Sequence, residues 1–175
     1  MVTIDENGVL TAAGKRIEAK TVIWTGGMIA SGLTSQISTR LDRQGRVEVT
    51  GDLRVVGTEH VFAAGDVAMA LTDDEGHYSL MSYQHAIFMG RFAGHNVAAD
   101  LLEAPPLGYR QPFYATCLDL GGWGAVYTEA WDRKVLLTHD EGKARKRMIN
   151  TQWIYPPAAS RVDALEAGNP EVAYG

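Results

Sequence analysis

The chain has 175 residues, 46% of them hydrophobic and 21% charged, enough for one compact domain with a small appendage. Nineteen glycines and six prolines exclude collagen-like and wholly disordered chains. A formal charge of −5 argues against a nucleic-acid surface, which needs a concentrated positive field.

In chain order, Val2 and Ile4 alternate with polar neighbours, and Glu6-Asn7-Gly8 is turn chemistry. Val9-Leu10 opens a second strand, and Ala13-Gly14-Lys15 turns before Ile17. The spacing predicts a small antiparallel meander. Thr21-Val22-Ile23-Trp24-Thr25, ending at Gly26-Gly27, reads as a strand buried on both faces. Residues 46–50 alternate as a strand after Gln44-Gly45, and residues 60–64 form a second buried apolar run stopped by Gly65-Asp66. Residues 71–78, with Asp73, Asp74 and Glu75, read as a solvated loop.

From about residue 80 to 102 the period becomes helical. Tyr83, Ala86, Ile87, Gly90, Ala93, Gly94, Val97, Ala98 and Leu101 form the predicted packing face, with Arg91, Asn96 and Asp100 between them. Because Ser82, Ala86, Gly90, Ala93 and Gly94 are small, that face is expected to approach a neighbouring backbone closely. Ala104-Pro105-Pro106-Leu107-Gly108 breaks the pattern and is the best candidate boundary. Beyond it, residues 113–118, 124–128 and 134–138 predict a three-stranded antiparallel sheet. A helix over about 141–153 closes it, ended by Pro156-Pro157, and the polar tail after Ala158 is expected to fray.

The single Cys117 excludes an internal disulfide or a CxxC motif and reads as a buried thiol. There is no run of eighteen apolar residues, and the first residues have no signal-peptide pattern, so the expected location is cytoplasmic or peripheral to a membrane. The histidines His60, His77, His95 and His139 have no metal-ligand spacing. His85 stands near a helix start, where it reads either as a neighbour of a ligand or as a capped or solvated residue.

The sharpest local feature is Val61-Phe62-Ala63-Ala64-Gly65-Asp66. A carboxylate at the carboxyl end of a strand sits where open α/β sheets bind ligands and can accept hydrogen bonds from sugar hydroxyls. Gly65 would let the backbone approach such a ligand. The local pattern alone leaves open a plain turn-capping Asp.

The wider order of motifs is more specific. The run ending Trp24-Thr25-Gly26-Gly27 is followed by Leu41-Asp42-Arg43-Gln44-Gly45-Arg46-Val47, by Ala63 to Asp66, and by the helix that Gln84 opens. Over about residues 1–104 this resembles the flavoprotein pyridine-nucleotide oxidoreductases, in their type II NADH dehydrogenase-like branch. The resemblance implies the C-terminal part of such an enzyme, because no GxGxxG occurs in the sequence. The implied fold class is α/β: the C-terminal part of an FAD/NAD(P)-binding, Rossmann-like domain over residues 1–104, then a small α+β domain with an antiparallel sheet over 105–175. In the first of these, the opening meander would end the nucleotide domain, and the rest would return to the FAD domain.

The resemblance also implies FAD as cofactor and NAD(P)H as co-substrate, with hydride passing to the flavin and electrons on to a quinone or another acceptor. Asp66 matches the acid that binds the ribityl chain, with Gly65 and Val67 beside the pyrophosphate. Tyr83, Gln84, His85 and Ala86 match the helix start facing the pyrimidine end of the flavin, and Thr25 and Gly26 match the turn near the cofactor. A helix N-terminus there suits the negative charge a reduced flavin carries. Phe88 departs from the pattern, since quinone-reducing members usually have a second Gln there, and an apolar ring cannot donate to a quinone carbonyl. The implied partners are the missing N-terminal part of the enzyme and a small-molecule acceptor.

Residues 130–150 hold six basic against three acidic residues, followed by Trp153, Ile154 and Tyr155. They read either as a peripheral membrane-contact helix or as a helix packed on its own sheet with solvated charges. The alternative to a partial enzyme is a non-catalytic assembly module that retains a remnant of the FAD fold.

Overall fold

The computed structural model describes residues 3–172, so Val2 lies outside the described residues. Strands β1 (Thr3–Asp5), β2 (Gly8–Leu10) and β3 (Arg16–Glu18) form the expected antiparallel meander, with Val9 opposite both Ile4 and Ile17. Gly8, at φ 130°, is required in it. A Cβ there would sit 2.1 Å from the carbonyl oxygen of Ile17.

The predicted buried strand at residues 21–25 does not form. Ile23 is 82% and Trp24 67% exposed, and none of residues 20–29 exchanges a backbone hydrogen bond with another described residue. An apolar β-branched run becomes a strand only where a neighbouring strand supplies main-chain partners, and the described residues supply none here.

After the short α1 (Thr34–Ile37), strand β4 (Val47–Glu48) pairs in parallel with β5 (Ala68–Met69). Antiparallel bridges Leu41–Val47, Val49–Val55 and Arg54–Phe62 knit the intervening chain together. The apolar run at 60–64 is thus only part of a ladder: Val61 is exposed, while Ala63 and Ala64 pack against the core. That core gathers Leu53, Ala68, Ala70, Met89, Ala93 and Tyr109 beneath the long helix α2 (Tyr83–Leu101). The second region follows as β6 (Ala115–Asp119), β7 (Ala125–Glu129) and β8 (Lys134–Leu137), antiparallel in that order. Helix α3 (His139–Met148) and a π-helical turn at Ile149–Trp153 cover it. The architecture is therefore α/β, with a Rossmann-like parallel pair, followed by a smaller antiparallel α+β region. The tail expected to fray instead forms α4 (Arg161–Ala167), because Ser160 caps it by accepting from the Asp163 N–H at 3.1 Å.

Helix α2 is turned away from its predicted face. Its buried residues are His85, Met89, Ala93, Asn96 and Ala99, whereas Val97 and Leu101 are exposed and a Cβ on Gly90 or Gly94 would meet nothing within 4 Å. The close helix–strand approach occurs at Gly142 of α3, where a Cβ would lie 2.1 Å from the Ala125 carbonyl oxygen. Helical periodicity alone favours the stripe richest in apolar residues, and it missed Asn96 because a buried amide looks polar in sequence. The Asn96 Nδ2 donates to the Asp52 and Leu107 carbonyls, both at 2.8 Å, and its Oδ1 accepts from the Leu107 N–H at 2.7 Å. These bonds tie the 50–53 turn, with buried Leu53 at φ 66°, to the chain leaving α2.

Asn96→Leu keeps similar volume but strands three backbone groups. It is expected to destabilise the protein by about 3 kcal/mol, read as a lower urea midpoint with an unchanged slope.

Candidate functional site

The Gly65–Val67 segment is one 3-10 turn between extended Ala64 and β5. Gly65 has φ 75°, and a Cβ on it would come within 3.5 Å of the Ala86 Cβ, so the turn packs against the first turn of α2. The Asp66 carboxylate on this turn is exposed and makes no hydrogen bond or ion pair with the described residues. An unpartnered carboxylate beside a glycine turn is an open acceptor for hydroxyl groups.

At the start of α2, Ser82 has the extended backbone of an N-cap, yet its side chain bonds none of the helix amides. Its Oγ lies 2.9 Å from Nδ1 of His85 instead. No acidic residue stands in the first turn, so the positive end of the helix has no side-chain counter-charge of its own. Tyr83 is about half exposed. The amide of Gln84 is turned away to the second region, its Nε2 donating to the Ala115 carbonyl at 2.8 Å and its Oε1 accepting from the Ala115 N–H at 3.2 Å.

His85 is 0% exposed. It lies beneath Tyr114 and Trp131, with ring centroids 5.8 Å and 6.2 Å away. Trp131, at the tip of the β7–β8 hairpin, stacks on Tyr114 at 4.6 Å and on His77 at 4.5 Å with nearly parallel rings. The second region is thereby clamped over the first turn of α2. Burial, reinforced by the positive charge of Arg46, pushes the His85 imidazole down to about 4. Arg46 is itself buried, donating to Asp42 Oδ2 at 2.8 Å and to the Ser79 carbonyl at 2.5 Å. Burial would raise the Asp42 carboxyl, but bonds from the Arg46 N–H and guanidinium and the Gln44 N–H outweigh it and hold the group below the usual range.

Two acids of the 71–78 loop are engaged as well. Asp73 accepts from the His77 ring and from two backbone N–H groups, and Asp74 pairs with Arg110 at 2.7 Å.

Of the residues marked from the sequence, Gly65 packs against Ala86, which sets the turn that carries Asp66 and Val67 against the first turn of α2, opened by Tyr83. The Gln84 and His85 side chains are at the same helix start but face inward. Thr25 and Gly26 stand on the exposed 20–29 segment, and no backbone hydrogen bond ties them to the turn or the helix. Phe88 packs against the core. Ser82, Tyr114, Ala115 and Trp131 were missed as contributors to this place. Only Ser82 carried a signal, a hydroxyl residue one position before a helix.

The pyridine nucleotide-disulphide oxidoreductase family matches residues 1–90. NADH dehydrogenase-like proteins of two Mycobacterium tuberculosis strains, CDC 1551 / Oshkosh and ATCC 25618 / H37Rv, are 50% identical over 173 residues, which is 98% of this chain and 43% of each relative. The type II NADH:quinone oxidoreductase Ndh of the second strain is 34% identical over 122 residues, 65% of this chain and 25% of that protein. The chain thus spans less than half the length of the curated relatives it matches.

The buried histidine makes the fold acid-sensitive in a defined window. An unfolded imidazole takes up a proton below about pH 6.5 that the folded one refuses until about 4. The stability His85 contributes is therefore complete above pH 6.5 and is lost as pH falls towards 4, by about 3 kcal/mol in all. Carboxylates held low, such as Asp42 and Asp73, lose their contribution only below about 4. Urea titrations at pH 7 and 4.5 should show the loss in the native chain and a much smaller one in His85→Leu.

Proposed function

We propose, from the fact that this chain belongs to the pyridine nucleotide-disulphide oxidoreductase family, that it forms part of an FAD-dependent NAD(P)H oxidoreductase of the NADH dehydrogenase-like kind and supplies one side of its flavin site. The observation that carries this reading is the meeting of the Gly65–Val67 turn, unpartnered Asp66 and the uncapped N-terminus of α2. These groups fit FAD chemically. Asp66 would accept hydrogen bonds from the ribityl hydroxyls, Gly65 and Val67 would flank the pyrophosphate, and the N–H groups at the start of α2 would face the pyrimidine end. When bound, FAD supplies the acceptor for a hydride from NAD(P)H and the donor of electrons to a quinone or another acceptor. The Gln84 side chain does not contribute in this arrangement, because both ends of its amide are held by Ala115. Thr25 and Gly26 would join the site only if the 21–25 segment were drawn into a sheet.

On this reading residues 1–104 are the end of the nucleotide domain and the returning part of the FAD domain, and 105–175 are a small C-terminal domain. The remainder of the relatives' length corresponds to a partner segment that would cover Ile23, Trp24, Ile29 and Leu101, all strongly exposed here. Phe88 in place of an amide donor leaves the acceptor at the level of a quinone or another small molecule. Among the described residues no helix is long and apolar enough to cross a membrane. We assign the protein to the cytoplasm, with the inner membrane face as the site of any peripheral contact. The same exposed apolar segment favours a second reading, a non-catalytic assembly module that binds a partner through it.

A visible spectrum separates the two. The chain incubated with FAD and gel-filtered should keep flavin absorption bands, whereas a colourless chain that takes up no FAD favours the assembly module. Asp66→Ala should weaken FAD binding by roughly tenfold or more, the worth of hydrogen bonds to a charged group. Because Asp66 has no hydrogen-bond or ion-pair partner among the described residues, the variant's stability should stay within about 0.5 kcal/mol of the native chain.

A further inference from the structure

Two serines stand at helix N-cap positions in this protein with nearly the same backbone, and they behave differently. Ser160 (φ −127°, ψ 148°) accepts from the N–H of Asp163, three residues on. Ser82 (φ −154°, ψ 149°) is equally placed before α2, but it makes no bond to a helix amide. The difference is the residue three positions later. At α2 it is His85, whose Nδ1 is 2.9 Å from the Ser82 Oγ.

The imidazole cannot swing away, because it is fully buried beneath Tyr114 and Trp131. Its Nε2 has no hydrogen-bond partner among the described residues, so Ser82 is its one anchoring contact of this kind. Either direction of that bond fixes the hydroxyl on the ring side.

We propose that His85 is a positioning residue: it holds the Ser82 hydroxyl off the amides of Gln84 and His85 at the start of α2, keeping those two N–H groups open to an electron-rich group of a bound ligand. The identity of that ligand as FAD rests on the reading above. The device has a cost, since an N-cap serine that does not cap gives up the stabilisation such residues usually provide. It also explains why this helix start lacks an acidic residue, which would fill the same amides. The Trp131 clamp is then the element that enforces the arrangement, because it closes the space into which the ring would otherwise rotate.

The test is amide hydrogen exchange by NMR on the full 175-residue chain, with flavin fluorescence titration as a second readout. Three variants are compared: Ser82→Asp, which offers a carboxylate cap while leaving His85 in place; His85→Leu, which releases the serine; and the double variant Ser82→Ala with His85→Leu. Protection at residues 84 and 85 should rise roughly fivefold in the first two, the equivalent of one restored cap, and return to the native value in the third. FAD affinity should fall in the first two and recover in the third. Native protection at both positions in both Ser82→Asp and His85→Leu would overturn the proposal, and Ser82→Asp alone decides it if His85→Leu does not fold. Protection that follows the expected order while no variant takes up FAD supports the positioning role and overturns the flavin reading.

Discussion

The first turn of α2 is the place on which the rest of the structure depends. Gln84 clips the Ala115 backbone from both sides, and Gln111 reaches the Gln84 carbonyl. Trp131 stacks over Tyr114 just above His85. From the other side the Gly65 turn presses on Ala86, and Arg46 brings its charge close enough to depress the histidine. The side chains of Ser82, Gln84 and His85 are committed to protein contacts, whereas the Asp66 carboxylate has no hydrogen bond or ion pair with the described residues. What remains available is backbone amide at the start of one element and an exposed carboxylate on the turn packed against it. Such a pair selects a ligand that offers hydroxyls to the acid and electron-rich atoms to the amides.

The same packing explains which surfaces are left over. Region two supplies the clamp over His85, the core with Leu53 and Ala68 buries Met89, and the opposite stripe at Gly90, Gly94, Val97 and Leu101 is left bare. The apolar 21–25 run is bare as well. A small-residue helix stripe and a β-branched run are the two halves of a helix-on-sheet contact, and each is unsatisfied in the described residues. Exposed apolar surface of this kind favours association.

Much of the fold was legible because it rests on local chemistry. The meander at 3–18 is set by turn residues, and the long helix by its period. The β6–β8 sheet is set by short apolar runs between glycines. The strand at 21–25 was misread because its signal is a demand for neighbours, and a sequence states the demand without stating whether it is met. Asn96 and His85 were assigned to solvent or to a ligand because polar side chains at buried positions are identified only by their partners: Asp52 and Leu107 for one, Ser82 and Trp131 for the other. The turn at Gly65 was legible because a glycine-acid pair stops an apolar run, and the structure turns there with Gly65 at φ 75°. The inward turn of Gln84 was not, since it depends on a strand more than thirty residues away.

The basic cluster near the end of the chain shows how packing redirects charge. The first turn of α3 holds Asp140 and Glu141, and its last turn Arg145, Lys146 and Arg147, the order that complements the helix dipole. Lys143 binds Asp119 at 2.7 Å and Lys146 donates to the Cys117 carbonyl at 3.0 Å, both on β6. Arg145 lies over the rings of Tyr127 and Trp153. Only the Arg147 guanidinium, among the cations of this helix, has no partner in the described residues. A helix that binds an anionic surface must present its cations outward together. Here three of four are used to fasten the helix to its own sheet, where Gly142 allows the backbones to touch. The positive stretch is therefore chiefly a packing device, and its effect is to hold rigid the sheet from which the β7–β8 hairpin carries Trp131 onto the helix start.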